Sequence, residues 1–444
     1  MPIVVTQLGT MAMGLVDTAI VGRVSEQALA GVALGNTLAV AVGMPAIGVF
    51  LALEPLAAQA IGAGEHRRAR ASLTAGLRLA WMLSVPVVLI TWASLWLLPA
   101  MKVDPTAIPD ARAYLLARLP SVLPFFVFLA AKTYHQAAGR TRVAVEAVIL
   151  ANVAHLTAGW IAVFGDAGLV RLGLPAMGLP AFGAAGAGVA TSVSHALLAL
   201  WMLGPRGRVP ATARDSLLPN EPLLRDEVRA FERKLLRLGF PIGLQLAAEV
   251  GIFSLVALLM GRIGGRAAAA HQIAINLASL SFMGALGIAQ ATSVRVGTAI
   301  GEGSREDTRR AGFVGIALGV SIMAFWALLF ATAPRLLARA FSPDEPVIEV
   351  ATALIRIAAL FQLADGAQVV AAGALRGAAD TRWPLVLNVL VHWCVGLPFG
   401  LWLAFSLGWG AKGLWGGLTA GLVVIAASLI VRFVILTRRS IARA

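Results

Sequence analysis

Twelve stretches of roughly 20 mostly apolar residues follow one another along the chain, each long enough to cross a bilayer as a helix. They lie near 2–22, 37–60, 73–99, 111–136, 143–164, 182–203, 237–260, 269–297, 311–334, 346–373, 383–405 and 412–436. Within hydrocarbon every backbone N–H and C=O must be satisfied by the chain itself, which leaves the α-helix or the closed β-barrel. Runs this long and this continuously apolar select the helix. The expected fold class is an all-α membrane protein of twelve transmembrane helices. Composition agrees: 13% of the 444 residues are charged, against about 25% in a soluble chain.

The formal charge of +14 does not indicate a nucleic-acid partner, because the basic residues sit in short loops between apolar runs. They report topology instead. The loops after spans 2, 4, 6, 8 and 10, with the C-terminal tail, hold 21 Lys and Arg, and the opposite loops hold 9. An even number of spans puts both termini on one side, and this bias makes that side cytoplasmic. The opening MPIVV lacks a basic leader region and a cleavage site, so the first span is expected to act as the targeting signal. A single cysteine, Cys394, excludes an internal disulfide and a CxxC site.

The two halves of the chain look like copies. AIGAGEHRRAR at 60–70 matches AIGEGSREDTRR at 299–310, with Gly62 and Gly64 aligned on Gly301 and Gly303 at an offset of 239. Pro2 aligns with Pro241 and Gly22 with Gly261 at the same offset, and Thr141 with Thr381 at 240. Gly183-Ala184-x-Gly186 recurs as Gly410-Ala411-x-Gly413. A six-span unit leaves both copies with the same topology, so two six-helix lobes related by a pseudo-two-fold axis along the membrane normal are expected, with the substrate site between them. The division is 1–203 for the N-terminal lobe, 204–236 for a cytoplasmic linker and 237–444 for the C-terminal lobe and basic tail. In the linker, RDEVRAFERKLLRLGF reads as an amphipathic interfacial helix or as a solvated connection.

Of 22 acidic residues, six fall inside apparent spans: Asp17, Glu54, Glu146, Glu249, Glu349 and Asp365. An ionisable group at the bilayer centre costs about 2.5–3.5 kcal/mol on insertion scales, so each needs a reason. Glu349 suits the first turn of its helix. Glu146 stands one turn from Arg142, at ion-pair spacing. Glu54, before Pro55, is either a partner at a helix bend or functional. Glu249 and Asp365 are deeper and have no basic group nearby on their own helices. They read as a cation-coupling pair in the C-terminal half, and Asp17 as the acid of the N-terminal half. Burial and a like neighbour are the conditions that let a carboxyl hold a proton near neutral pH, and a hard cation such as Na+ suits the same oxygens. Glu249 and Asp365 are therefore also the candidate ligands for a metal ion, Na+. Gln245, Gln272, Asn276, Gln290 and Gln368 offer amides, and Met283 an adaptable surface, to a substrate cavity beside these acids. No GxxxxGK[ST] pattern, HExxH spacing or GxSxG elbow is present. A secondary transporter is expected, not an enzyme, with no cofactor.

The opening PIVVTQLGTMAMGLVDTAIVGRVSEQALAGVALGNT resembles the first span of the multidrug and toxic compound extrusion (MATE) family, and PLAAQAIGAG at 55–64 its second-span signature. GFPIGLQLAAEVGIF and DGAQVVAAGALRGAADTRWP resemble its seventh and tenth spans. The acids Asp17, Glu249 and Asp365 together match the NorM-type branch. The resemblance implies two six-helix bundles about a central cleft, in the bacterial inner membrane. It also implies export of amphipathic, often cationic compounds in exchange for Na+ or H+. On it, Glu249 and Asp365 form the coupling site and Asp17 handles substrate or proton. Small-molecule amphipathic cations and membrane lipid are the expected partners of a monomer. The chain departs from relatives in carrying Phe361, where some have Tyr, and in starting almost at its first proline, whereas ERKLLRLGF precedes the matching proline of the second half; whether a basic stretch precedes the first is left open. A lipid-linked precursor flippase is the alternative, with Lys132, Arg295 and Arg356 as its inner basic candidates. An intramembrane aspartyl protease would need a GxGD context, which is missing.

Overall fold

The computed structural model describes residues 2–101, 104–204, 223–438 and 441–443, and among them every regular element is helical. Twelve helical segments are long and apolar enough to cross a membrane. The first six are α1 (Pro2–Val21), α2 (Glu26–Leu51) continued by α3 (Leu53–Gly62), α4 (His66–Ser94), α5 (Ile108–Arg118) continued by α6 (Val122–Ala137), α7 (Thr141–Phe164), and, after the short α8 (Asp166–Arg171), α9 (Ala184–Leu203). The second six are α10 (Arg225–Ile263), α11 (Gly265–Glu302), α12 (Arg305–Thr332), α14 (Glu345–Gly377) after the short α13 (Pro334–Arg339), α15 (Arg382–Val391) with α16 (Leu397–Leu401), and α17 (Ala411–Leu436). Two π-helical turns, His392–Gly396 and Trp402–Ser406, flank α16.

Two spans start more than ten residues earlier than the sequence reading places them, each for a local reason. The second span begins at Glu26 rather than near 37, because the Ser25 hydroxyl accepts from the Ala28 N–H at 3.0 Å and caps the helix there. The stretch RDEVRAFERKLLRLGF is not a separate interfacial helix. It is the first part of α10 and runs unbroken into the seventh span. Its apolar stripe, Val228, Phe231 and Leu235, is buried in the core of the first half, and Glu227 pairs with Arg67 of α4 at 3.2 Å. Packing against the first half, rather than lipid, covers the stripe. Residues 205–222 of the expected linker, and Lys102, lie outside the described residues.

The internal repeat is visible in matching geometry. Gly183 and Gly410 cap α9 and α17 with nearly the same backbone angles, φ 53°, ψ −127° and φ 52°, ψ −129°. Each follows a residue-pair bond to the preceding span: Phe182 and Gly183 donate to Ala162 and Val163, and Trp409 and Gly410 donate to Leu403 and Ala404. Only glycine occupies such angles without strain. Nothing surrounds the position a Gly183 Cβ would take, so Gly183→Ala carries backbone strain alone. A loss of about 1–3 kcal/mol is expected, read as a lowered Tm in detergent. An unchanged Tm would mean the turn is adaptable.

The halves meet through reciprocal contacts, as a two-fold relation requires. Gly48 of α2 packs on Gly243 of α10, and Gly287 of α11 on Val4 of α1; these are the same contact displaced by 239 residues. Likewise Gly62 packs on Thr298 and Gly301 on Gln59. A Cβ at Gly62 or Gly301 would stand 2.2 Å from a backbone oxygen of the other half, so the approach demands glycine. All four contacts lie in the half of the bundle nearer the two chain termini. The lobes are therefore sealed at that end.

At the opposite end, Asp166 anchors the turn between the fifth and sixth spans. Met177, Gly178 and Leu179 donate backbone N–H bonds of 2.9, 2.9 and 3.0 Å to its carboxylate. Those of Leu179 and Met177 chiefly hold this exposed carboxyl below the ordinary aspartate range. A depressed folded pKa stabilises above the unfolded value of about 3.9, and the contribution is lost as pH falls through the folded pKa. Asp166→Asn is expected to speed hydrogen exchange of amides 177–179 at neutral pH and to leave the spans unchanged. Equal protection in both proteins would remove Asp166 as the anchor.

Candidate functional site

In the second half, Glu249 on α10 and Asp365 on α14 stand at one level. The rings of Phe253 and Phe361, one turn along each helix, meet edge to face at 6.1 Å. Since α10 and α14 run in opposite directions, this contact places the two acids at a common depth, one turn nearer the termini. They lie within electrostatic reach of each other. Asp365 is 5% exposed and Glu249 is half-buried. Among the described residues, no hydrogen bond or ion pair is made by either carboxylate. Phe361 is buried and also packs on Trp415 of α17 at 5.5 Å. Trp415 in turn donates its indole N–H to His271 Nδ1 at 3.1 Å. The position where relatives can carry a Tyr oxygen is therefore part of an aromatic wall.

Polar groups with vacant bonding capacity surround this level. The Gln362 amide donates to the Ser281 hydroxyl, while its Oε1 has no partner. Among the described residues the same holds for Oε1 of Gln368, both amide atoms of Asn388 and both ring nitrogens of His392; Gln290, nine residues beyond Ser281, lies roughly 13 Å nearer the termini. Buried polar atoms normally find partners, so a region with this many unpaired atoms suits a cation, a proton or water. Carboxylate and amide oxygens are the donor set that Na+ takes. No cluster of three or more metal-ligating side chains occurs among the described residues, so a Na+ here would rest on the two acids and neutral oxygens.

The expected cavity residues are not all gathered. Gln245 and Gln368 are buried one turn from Glu249 and Asp365. Gln272 and Asn276 are on an exposed stripe of α11 and bond to each other at 3.0 Å. Ser281 marks the level of the acids on α11, and Asn276 and Gln272 lie roughly 7 and 13 Å farther from the termini at 1.5 Å per residue. Met283 is half-buried, between that stripe and the seam. Asn388 and His392 were missed by sequence reasoning, although two polar residues one turn apart in an apolar span are a readable signal.

In the first half, Asp17 of α1 is buried and its Oδ1 lies 2.9 Å from Nε2 of His155 on α7. The His155 Nδ1 is 3.1 Å from the Ser194 hydroxyl of α9, and Thr191 donates to Asp17 Oδ2 at 3.4 Å. The Ser194 hydroxyl donates to the Ala190 carbonyl at 2.8 Å. Ser194 is then an acceptor for Nδ1–H, and the Asp17–His155 bond needs a proton of its own, carried by either partner. In this geometry the pair holds one proton between an acid and an imidazole. Sequence reasoning placed Asp17 and passed over His155, whose partners come from α1 and α9.

A third cluster lies in the seam between the lobes. Glu54 of α3 is fully buried, Arg376 at the end of α14 is 6% exposed, and Ser293 of α11 is fully buried. Among the described residues neither Glu54 oxygen has a partner in hydrogen-bond geometry, although the Ser293 hydroxyl lies close by, and Arg376 Nη1 has none. Glu54 lies within electrostatic reach of Arg376 first and of Lys132 second. Gln59, further along α3, donates to the Gly377 carbonyl at 3.0 Å, which fixes α3 against the end of α14. Lys132 of α6 donates to Gln7 Oε1 at 2.6 Å. Arg376 is also within reach of Glu249. Glu146 and Glu349 are exposed, and Glu146 makes no ion pair with Arg142 among the described residues.

The MatE family model matches residues 2–161 and again 241–402, the two halves found above. A "Probable multidrug resistance protein NorM" of Deinococcus radiodurans is 41% identical, covering 98% of this chain and 94% of that one. One of the same description from Mesorhizobium japonicum is 38% identical, covering 97% and 91%. Among solved structures, a MATE protein in the bent conformation superposes with a TM-score of 0.85 at 19% identity, covering 99% and 94%. A eukaryotic MATE transporter gives 0.82 at 19% identity, covering 98% and 93%. With the family matched in both halves and relatives aligned over nearly the full length, this chain belongs to the MatE family: it is a multi-pass membrane transporter and not an enzyme.

Proposed function

We propose that this protein is a secondary antiporter that exports amphipathic, often cationic compounds in exchange for Na+ or H+. The observation that carries the reading is the pair of level acids, Glu249 and Asp365, which make no hydrogen bond or ion pair among the described residues and stand among buried amides. The names of the relatives, multidrug resistance proteins, supply the substrate class. The lobes 1–203 and 237–444 rock about the glycine seam, in alternating access. The loop charge bias places both termini in the cytoplasm of a bacterial cell, with the protein in the inner membrane. The seam then closes the cytoplasmic side, and Gln272 and Asn276 line the outward-facing cleft. In that state a cation enters from outside to Glu249 and Asp365. A ligand moves the equilibrium only by its differential affinity for the two states, so ion and drug exchange when each favours the opposite arrangement. Asp17 and His155 form a proton-holding pair in the other lobe. No cofactor is required, and the monomer contains the whole pathway.

The flippase alternative draws less support. Lys132 is buried toward Glu54, whereas Arg295 and Arg356 are exposed; the three do not line one pyrophosphate cleft. The test is efflux of a fluorescent lipophilic cation from proteoliposomes, first under a Na+ gradient alone and then under a pH gradient alone. Transport under one gradient names the ion. No transport under either, with the protein inserted, would overturn the antiporter reading for this substrate class.

A further inference from the structure

On α11 and α12, beside the first turns of α1, runs a groove of about 940 Å³ that the transport cycle above does not use. From the geometry of this groove we infer a binding site for a phospholipid with a primary ammonium head group, phosphatidylethanolamine, at the membrane surface that carries the chain termini.

The polarity of the lining changes in one direction. The chain reaches that surface at Glu302, the last residue of α11, and turns back at Arg305, the first of α12. Glu302 and Asp307 are therefore the outermost lining groups. Arg310 is three residues further in on α12 and Arg295 seven residues further in on α11, roughly 5 and 10 Å at 1.5 Å per residue. Deeper still the wall is Val314, Leu318 and Phe325, which are 51, 56 and 64% exposed. Because α12 packs chiefly on α11 and α14, its exposed apolar face meets hydrocarbon. From the surface inward the order is carboxylate, guanidinium, apolar wall. Phosphatidylethanolamine presents ammonium, phosphate and acyl chains in the same order.

The charges lining the groove are exposed and available to such an occupant. Among the described residues, Arg295, Arg310 and Glu302 make no ion pair or hydrogen bond. Asp307 accepts from the Ser304 hydroxyl at 2.5 Å, which leaves it acceptor capacity. Arg295 lies two turns inside its span, where an uncompensated guanidinium is costly. Arginine binds phosphate through paired N–H donors, and basic pockets between helices at the membrane surface take lipid head groups. The two carboxylates choose among lipids. They repel an anionic head group and find no N–H donor on a trimethylammonium. A cationic drug would complement the acids and leave both guanidiniums unpaired.

The test is native mass spectrometry of the full-length protein in detergent, titrated separately with phosphatidylethanolamine, phosphatidylcholine and phosphatidylglycerol of matched chain length. Wild type is expected to retain phosphatidylethanolamine about five-fold better than the other two. Arg295→Gln and Arg310→Gln should each weaken its retention by roughly five-fold, the effect of one basic group near a membrane surface. Glu302→Gln should erase the preference for phosphatidylethanolamine while leaving phosphate-dependent retention in place, an effect that misfolding does not mimic. Equal retention of the three lipids by wild type, preference for the anionic lipid, or variants that bind as wild type does would each overturn the assignment.

Discussion

Glu249→Gln protein is expected to insert and fold as wild type does and to lose gradient-driven export by roughly 10- to 150-fold. The side chain keeps its shape, and no hydrogen bond or ion pair among the described residues is lost, so the lobe has little reason to rearrange. What disappears is one charged ligand for the coupling ion. A charge-assisted contact of this kind is worth about 1.5–3 kcal/mol, which converts to that range. Asp365→Asn should behave alike, and the double variant should be no worse than either single one, because two acids that hold one ion act as a unit. The measurement is initial export rate in proteoliposomes under the gradient that drives wild type, with insertion checked by flotation of the proteoliposomes and by protease protection. Export at the wild-type rate by Glu249→Gln would remove the pair from the coupling mechanism. Downhill drug exchange without a gradient should survive the substitution, which separates lost coupling from lost substrate binding.

The spans and the repeat were legible because both are carried by local pattern: a run of apolar residues long enough to cross, and glycines spaced alike in two halves. Glu249, Asp365 and Asp17 were legible for the related reason that a carboxylate in an apolar run stands out. The partners of these residues were not. His155 is one of six scattered histidines until α1, α7 and α9 bring it to Asp17 and Ser194. Arg376 reads as a loop residue just past a span, and its burial depends on α3, more than 300 positions earlier in sequence. The start of α10 reads as an interfacial helix because its charges are visible in sequence and the core that receives Phe231 and Leu235 is not. Contacts between lobes obey no local period.

Glu54→Ala is expected to destabilise the sealed state by about 1–3 kcal/mol, the cost of leaving buried polar groups without compensation, because it removes the anion within electrostatic reach of Arg376 and Lys132. The loss leaves the buried Arg376 and Lys132 without the carboxylate that lies within electrostatic reach of both. Two responses are open to the protein. It can unfold at lower temperature, or it can separate α3 from the ends of α11 and α14 and let water reach the cations. Separation is motion along the transport coordinate, so the variant should populate the state open at the termini end. Distances between spin labels at exposed positions 68 on α4 and 309 on α12 report that population directly. Glu54→Leu combined with Arg376→Met removes both charges and should recover much of the lost Tm, since an apolar pair often replaces a buried ion pair without cost. If the two single substitutions add within about 0.5 kcal/mol, Glu54 and Arg376 do not form a pair and the seam is held by its glycine contacts and the Gln59–Gly377 hydrogen bond. The same guanidinium lies within reach of Glu249, so neutralising Glu249 by a proton or a bound ion leaves Glu54 as the nearer anion for Arg376. The label distance in Glu249→Gln protein should therefore shift toward the sealed state, opposite in sign to Glu54→Ala. A shift of the same sign in both variants would show that Arg376 does not link the ion site to the seam.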